Sequence, residues 1–202
     1  MLNRIFDQNN AFFSFCGKLA DVLMLSLLWV ICCLPLFTIG SATAALYNAI
    51  VKCIRGNQNH PYSTFMECFK KNFKDGIPVS ISIILILLIM SYQFIYLWNG
   101  AIAGLRISFM FLIFNCVFSI IPFGFICWIC PIFSRYEFTF SQLALTSFKF
   151  VFAHLFSSII MAVVFAVSLY FSSLLIFPVI FTPFIVTYIN SIFIEKAFKK
   201  HQ

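Results

Sequence analysis

Four stretches of the chain carry no Asp, Glu, Lys or Arg: residues 22–51, 76–105, 107–134 and 150–194. A helix needs roughly 20 predominantly apolar residues to cross the bilayer core. The first three stretches therefore each hold one span, and the fourth, 45 residues long, holds two joined by a tight turn. Runs such as residues 81–89, Ile-Ser-Ile-Ile-Leu-Ile-Leu-Leu-Ile, have no polar face, and helices apolar all round are buried or in lipid. Backbone polar groups in hydrocarbon must be satisfied internally, by helices or by a closed barrel. Barrel strands alternate polar and apolar positions over about ten residues, and these runs do not. The pattern predicts an all-α polytopic membrane helix bundle, one integral membrane domain over residues 1–202, with five spans near 19–37, 77–98, 107–132, 154–172 and 175–193.

Polar and breaking residues organise what lies between. Residues 1–18 mix Asn, Asp and Gln with Phe6, Phe12, Phe13 and Phe15, as an interfacial helix or a loose tail would. Pro35 removes a backbone donor, so residues 35–41 read as a break. Residues 42–54 then form a short helix that packs along the interface or re-enters. After the turn-rich residues 56–61, Ser63 or Thr64 is placed to cap a short helix with Glu67 in its first turn. Phe65, Phe69 and Phe73 recur every fourth residue, with Lys70, Lys71 and Lys74 on the other faces. Such a basic amphipathic helix contacts anionic lipid or the protein's own span ends, and both remain open. Asn99-Gly100 reads as a turn, Pro122 and Pro131 as breaks in the third span, and residues 133–153 as a connection with another short surface helix. Pro35-Leu36-Phe37-Thr38 and Pro131-Ile132-Phe133-Ser134 echo one another faintly.

Composition agrees: 62% of the residues are apolar and 9% charged, against about 25% charged in soluble domains. Short cytoplasmic loops favour Lys and Arg. With five spans one side collects Lys52, Arg55, Lys70, Lys71, Lys74, Arg135, Lys149, Lys196, Lys199 and Lys200, and the other Arg4, Lys18 and Arg106. This predicts an outside N-terminus and a cytosolic C-terminus. Ala42-Thr43-Ala44 resembles a cleavage site, but signal peptides run about 15–30 residues, so an uncleaved first span is expected. The net charge of +7 is what loops beside anionic lipid carry, and nucleic acid is not an expected partner.

Candidate chemistry is sparse. Ionisable groups inside spans mark function, but Asp21, Arg106 and His154 fall at predicted span ends, where anchoring or capping accounts for them. Of eight cysteines, Cys32, Cys33, Cys116, Cys127 and Cys130 lie in predicted spans and read as small packing residues. Cys127 and Cys130 share a helical face, but zinc needs four ligands and no second pair is in register. No phosphate-binding glycine loop, nucleophile elbow or HExxH motif occurs. The chain is expected to be no enzyme and to hold no cofactor and no metal.

Three segments carry a resemblance: residues 10–21 (NAFFSFCGKLAD), residues 34–47 (LPLFTIGSATAALY) and residues 69–74 (FKKNFK). Together they resemble the YesL-like family of bacterial integral membrane proteins, a domain of unknown function. The likeness is strongest over the first 75 residues, and its most specific part is the Leu-Pro-x-x-Thr-Ile-Gly stretch. It implies a multi-pass bacterial plasma-membrane protein of the Gram-positive type. Members are often encoded beside sugar ABC transporters, which implies a role as accessory or interaction protein in carbohydrate uptake, with a sugar ABC transporter or another membrane protein as partner. A small transporter acting as an oligomer is the alternative, since broken helices often form substrate sites. The family supplies no catalytic residues. Candidate functional positions are Pro35, Thr38, Gly40, Thr43 and Tyr47, a helix break with two hydroxyls and a phenol expected at one membrane surface. Lys70, Lys71 and Lys74 are candidate anionic-lipid contacts.

Overall fold

In the computed structural model, which describes residues 11–56, 60–174 and 178–200, every regular element is helical. The helices are α1 (Ala11–Cys33), α2 (Ile39–Ala49), α3 (Pro61–Lys71), α4 (Gly76–Ile102), α5 (Arg106–Phe118), α6 (Ile120–Arg135), α7 (Phe140–Ala153), α8 (Leu155–Leu174) and α9 (Pro178–Lys200). A 3₁₀ turn (Leu36–Thr38) leads into α2, and a π-helical turn (Ile50–Arg55) extends it. Of the interfacial segment expected over residues 1–18, residues 11–18 are the first turns of the continuous α1; residues 1–10, the turn at residues 57–59 and the junction at residues 175–177 lie outside the described residues.

Among the described residues three helices are long and apolar enough to cross a membrane: Leu36–Arg55, Gly76–Ile102 and Arg106–Arg135. A fourth results if Phe140–Ala153 and Leu155–Ser168, bent by 102° at His154, count as one span. The five spans expected from the sequence are thus corrected to three or four. The uncharged stretch 22–51 is where the count changes. It holds two helices folded antiparallel, not one span, because the chain turns at Leu34-Pro35. Trp29 of α1 meets Thr43 of α2, and Leu25 packs with Leu46, Ala49 and Ile50. The apolar part of α1, Ala20–Cys33, is about 21 Å long at 1.5 Å per residue. Leu36–Arg55 has the length to cross but is 61% buried inside the protein, against 17% for Gly76–Ile102 and 11% for Arg106–Arg135. It is a core helix.

The sequence of α2 explains its position. Gly40, Ser41, Ala42, Ala44, Ala45 and Ala49 give it a surface of small residues, all buried, which lets neighbouring backbones come close. On one side α3 lays Phe65 and Cys68 against Leu46, Ala49 and Ile50. On another α4 begins so close that a Cβ at Gly76 would stand 1.9 Å from Ser41 Oγ. The Gly40 amide donates to Ser80 Oγ at 2.8 Å, and the Ser41 hydroxyl donates to the Asn72 carbonyl at 3.1 Å. On a third side α6 contributes Trp128, Ile129, Cys130 and Ile132 to the core, joined by Ile194 and Phe198 of α9.

Several local expectations shift. α3 begins at Pro61, with His60 in the left-handed region at φ 73°; proline at the first helical position has no donor to lose. Ser63 and Thr64 lie inside the helix and donate to the His60 carbonyl instead of capping it. The turn after α4 lies beyond Asn99-Gly100, at Ala103–Gly104, where Gly104 takes φ +81° and ends the helix as glycine does best. The third span breaks at Ser119, between α5 and α6. Pro122 there cannot donate to the Phe118 carbonyl. Pro131 sits within α6 without ending it, so the echo between Pro35 and Pro131 has no counterpart in local structure. The connection before α7 closes with a capping box, Thr139 and Gln142. Cys116 is exposed, not packed; Cys127 and Cys130 are buried free thiols.

Candidate functional site

The end of the bundle where α2 finishes carries most of its described charge. There α2 and its π-helical turn bring Tyr47, Asn48 and Lys52, α3 brings Thr64, Glu67, Cys68 and Lys71, and the end of α6 brings Arg135 with Tyr136 and Glu137 just beyond. These residues surround a cleft of about 590 Å³. Ligand-binding pockets occupy about 300–1,000 Å³.

One wall of the cleft is fixed by a hydrogen-bonded chain. The buried Tyr47 hydroxyl donates to Glu195 Oε1 of α9 at 2.7 Å. The same carboxylate forms an ion pair with the Arg135 guanidinium. Arg135 also lies over the Phe198 ring, 4.8 Å from its centroid, within range of a cation–π attraction. Beside them Arg55 donates to the Ser191 carbonyl at 2.9 Å and to Ser191 Oγ at 3.2 Å, which ties the π-helical turn to α9. Both charges of the Arg135–Glu195 pair are less than one-third exposed. A pair so withdrawn from water is stable only because each member has further partners.

The rest of the lining is less satisfied. Lys71 Nζ reaches Glu137 Oε1 at 2.6 Å, but both side chains are largely in solvent. Lys71 holds the Glu137 carboxyl below the usual carboxylate range, and Glu137 holds the Lys71 ammonium above its own. Among the described residues Lys52 and Glu67 have no ion-pair partner. Two buried polar atoms in the wall, Asn48 Oδ1 and Ser134 Oγ, find no hydrogen-bond partner there, although buried polar groups nearly always have one. Cys68 is no candidate nucleophile. Burial pushes its thiol up, and the amides of Asn48 and Asn72, 3.4 and 3.3 Å away, only partly oppose this.

A second cavity, about 320 Å³, lies on the other side of Tyr47. Trp29, Ile83, Leu87, Ile126, Cys127 and Phe165 give it an apolar wall, and Thr43, Thr187 and Asn190 add the main polar groups. Asn190 is 6% exposed, and its Oδ1 has no partner among the described residues. Tyr47 lines both spaces.

The five positions singled out in the sequence divide accordingly. Pro35 and Thr38 shape the α1–α2 turn: the Thr38 hydroxyl lies against the carbonyls of Cys32 and Pro35. Gly40 serves the α2–α4 approach. Thr43 receives the Trp29 indole N–H at 3.2 Å and donates to Ile39, in the wall of the second cavity. Tyr47 stands nine residues beyond Thr38, about 14 Å along the helix, and it alone reaches the charged cleft. The three lysines are exposed, Lys70 and Lys71 on α3 and Lys74 in the turn after it, while Phe65 and Phe69 of α3 turn into the core and Phe73, in that turn, meets Phe37 edge-on. The phenylalanine side of α3 thus packs on the protein. Sequence reading missed Asn48, Glu67, Glu195 and Asn190. Glu195 lies among the C-terminal lysines, and only the fold brings it to Tyr47, 148 residues away. His154, expected as an anchor, marks the bend between α7 and α8 and stacks on Trp128 and Phe150.

Residues 22–94 match the family model described as Protein of unknown function, DUF624, which is the YesL-like family, so the resemblance read from the sequence is borne out over those residues. The match covers the α2 and α3 walls of the cleft and stops short of α6 and α9. No curated protein and no solved structure matches the chain.

Proposed function

Proceeding from a polytopic membrane protein of the YesL-like, DUF624 kind over residues 22–94, we propose a non-enzymatic ligand-binding accessory protein of the bacterial plasma membrane. Its site is the charged cleft between α2, α3 and the end of α6. The observation that carries this reading is the set of polar groups the fold leaves to the cleft: among the described residues, Lys52 and Glu67 have no ion-pair partner and Asn48 Oδ1 and Ser134 Oγ no hydrogen bond. Groups of this kind are what a ligand satisfies. The link to carbohydrate uptake, with a sugar ABC transporter or another membrane protein as partner, rests on the family resemblance. Tagged protein solubilised in mild detergent should bring down a transporter subunit. Repeated recovery of the chain alone would overturn the accessory role.

The gathering of Lys52, Arg55, Lys71 and Arg135 at one end supports a cytosolic position for that end. The Lys and Arg bias of the loops favours an outside N-terminus, whereas the antiparallel α1–α2 hairpin brings the start of α1 back toward the end that holds Arg55 and Arg135. Reporter enzymes fused at residues 9 and 202 separate the two: opposite sides support the outside N-terminus, and agreement between them refutes it. The second reading, a small transporter, draws on Tyr47, whose side chain borders both the cleft and the apolar cavity. A passage through the bundle would run past it, and proteoliposomes loaded with labelled sugar test for transport.

A further inference from the structure

We infer that the charged cleft and the apolar cavity form one binding site for a single-chain amphiphile with a zwitterionic head, the chain lying in the cavity and the head in the cleft. This deepens the ligand-binding reading above and rests on it. Three observations point the same way. The two spaces differ in chemistry as the two ends of an amphiphile do: Lys52, Glu67, Lys71 and Arg135 border one, Trp29, Ile83, Leu87 and Phe165 the other. They share Tyr47 as a wall, its ring packed in the core and its hydroxyl donating to Glu195. Each holds buried polar atoms without a partner among the described residues, Asn48 Oδ1 and Ser134 Oγ in the cleft and Asn190 Oδ1 in the cavity.

The charges select the head. Lys71 is engaged by Glu137 and Arg135 by Glu195, so of the charged residues lining the cleft one cation, Lys52, and one anion, Glu67, have no ion-pair partner among the described residues. A phosphate beside Lys52 and an ammonium beside Glu67 would satisfy both, whereas a purely anionic head would leave Glu67 bare and meet its repulsion. The cavity, about 320 Å³, lies at the small end of the range for ligand pockets and has room for one chain, not two. Seating the chain turns the Tyr47 ring aside, and the phenol then exchanges Glu195 for the head or for water.

Native mass spectrometry of the purified protein in detergent, with lysophosphatidylethanolamine as probe, tests this. One bound molecule per chain is expected. Leu87→Trp, which fills the cavity, should weaken retention by about tenfold or more. Thr187→Leu is a smaller filler, used if the tryptophan variant does not fold. Lys52→Gln and Glu67→Gln, both at exposed positions, should each weaken retention severalfold. The inference is overturned if the filled variants retain the probe as wild type does, if lysophosphatidylglycerol or a fatty alcohol binds as well, or if wild type retains nothing. Partner recovery by the same preparations separates the two claims. A partner recovered without a bound lysolipid removes the ligand class alone, and loss of both removes the ligand-binding reading as well.

Discussion

Helix α2 and the α4–α5 hairpin are both uncharged over long stretches, yet they meet opposite surroundings. Ala42, Ala44, Ala45, Leu46, Ala49 and Ile50 of the α2 segment have no exposed surface, whereas Leu88 is 64% exposed, Tyr92 73% and Met110 72%. None of the α5 residues is buried. The difference lies in side-chain size. α2 reads Ile-Gly-Ser-Ala-Thr-Ala-Ala-Leu-Tyr-Asn-Ala, and its small residues admit α3, α4 and α6 to close range. Beyond Ile83 of α4, and throughout α5, the helices are rich in Ile, Leu, Phe and Met, which offer a broad surface to acyl chains. Lipid tails are as apolar as leucine, so burial among helices depends on close packing and not on hydrophobicity. All pass as possible spans by length and composition, at mean hydropathy 1.3 for Leu36–Arg55 against 2.2 and 2.3 for Gly76–Ile102 and Arg106–Arg135, and they behave differently.

This contrast can be broken most forcefully at Leu88, near the middle of α4. Leu88→Arg puts a charge where lipid is expected, at a cost of about 3 kcal/mol on insertion scales, and should lower the membrane-integrated fraction measured by carbonate extraction. Leu88→Ala should change stability in detergent by less than about 0.5 kcal/mol, as surface substitutions do. Large destabilisation by the alanine would mean that the hairpin is packed against protein. At Gly76 the order reverses, because even a methyl group would overlap Ser41 Oγ. Gly76→Val should cost about 2–3 kcal/mol through overpacking and lower the melting temperature in detergent. A neutral result there would show that α2 and α4 do not approach as closely as described.

Part of this architecture is written in the residues themselves. The all-helical membrane character followed from long uncharged runs with no polar face, and the basic amphipathic helix from Phe65, Phe69 and Phe73 at helical spacing. The number of spans did not follow. Residues 22–51 contain enough apolar chain for a crossing, and only the antiparallel contact of Trp29 with Thr43 shows that they are spent on a hairpin. The break at Pro35 was visible, but a proline permits a kink as readily as a reversal. The cleft was half legible. Tyr47 stood out within a specific motif, and Lys71 within its basic helix. Glu195 and Asn190 did not, since their roles arise from α9 returning to α2, a contact that local pattern does not encode.

The link between α2 and α9 supplies a test of intermediate size. Glu195→Gln keeps the shape of the side chain and removes the charge that Arg135 faces; the pair is partly exposed, so a loss of about 2 kcal/mol is expected, below that of a fully buried pair. Tyr47→Phe deletes one hydrogen bond to a charged group, worth about 1.5 kcal/mol. The double variant should lose less than the two single losses added, because both act through one carboxylate. Additive losses would place Tyr47 and Glu195 in separate networks and leave the wall between cleft and cavity without its fastening.

The smallest effect belongs to Lys71 and Glu137 on the open rim of the cleft. Lys71 lowers the Glu137 carboxyl by hydrogen bonding first and by charge second. A carboxyl lowered in the folded state adds stability above the ordinary carboxylate range, and that contribution is lost as the pH falls through the lowered value. Because both side chains are largely in solvent, screening leaves little of it, and Lys71→Gln should not measurably move the melting temperature at neutral pH. The titration itself is the sensitive readout. In carboxyl-labelled protein the Glu137 midpoint should lie below the usual glutamate value and rise toward it in Lys71→Gln. If the midpoint stays where it is in the variant, Lys71 does not hold Glu137, and the rim of the cleft offers a ligand two independent charges instead of an engaged pair. That would remove the ground on which Lys52 and Glu67 were singled out as the head-reading pair.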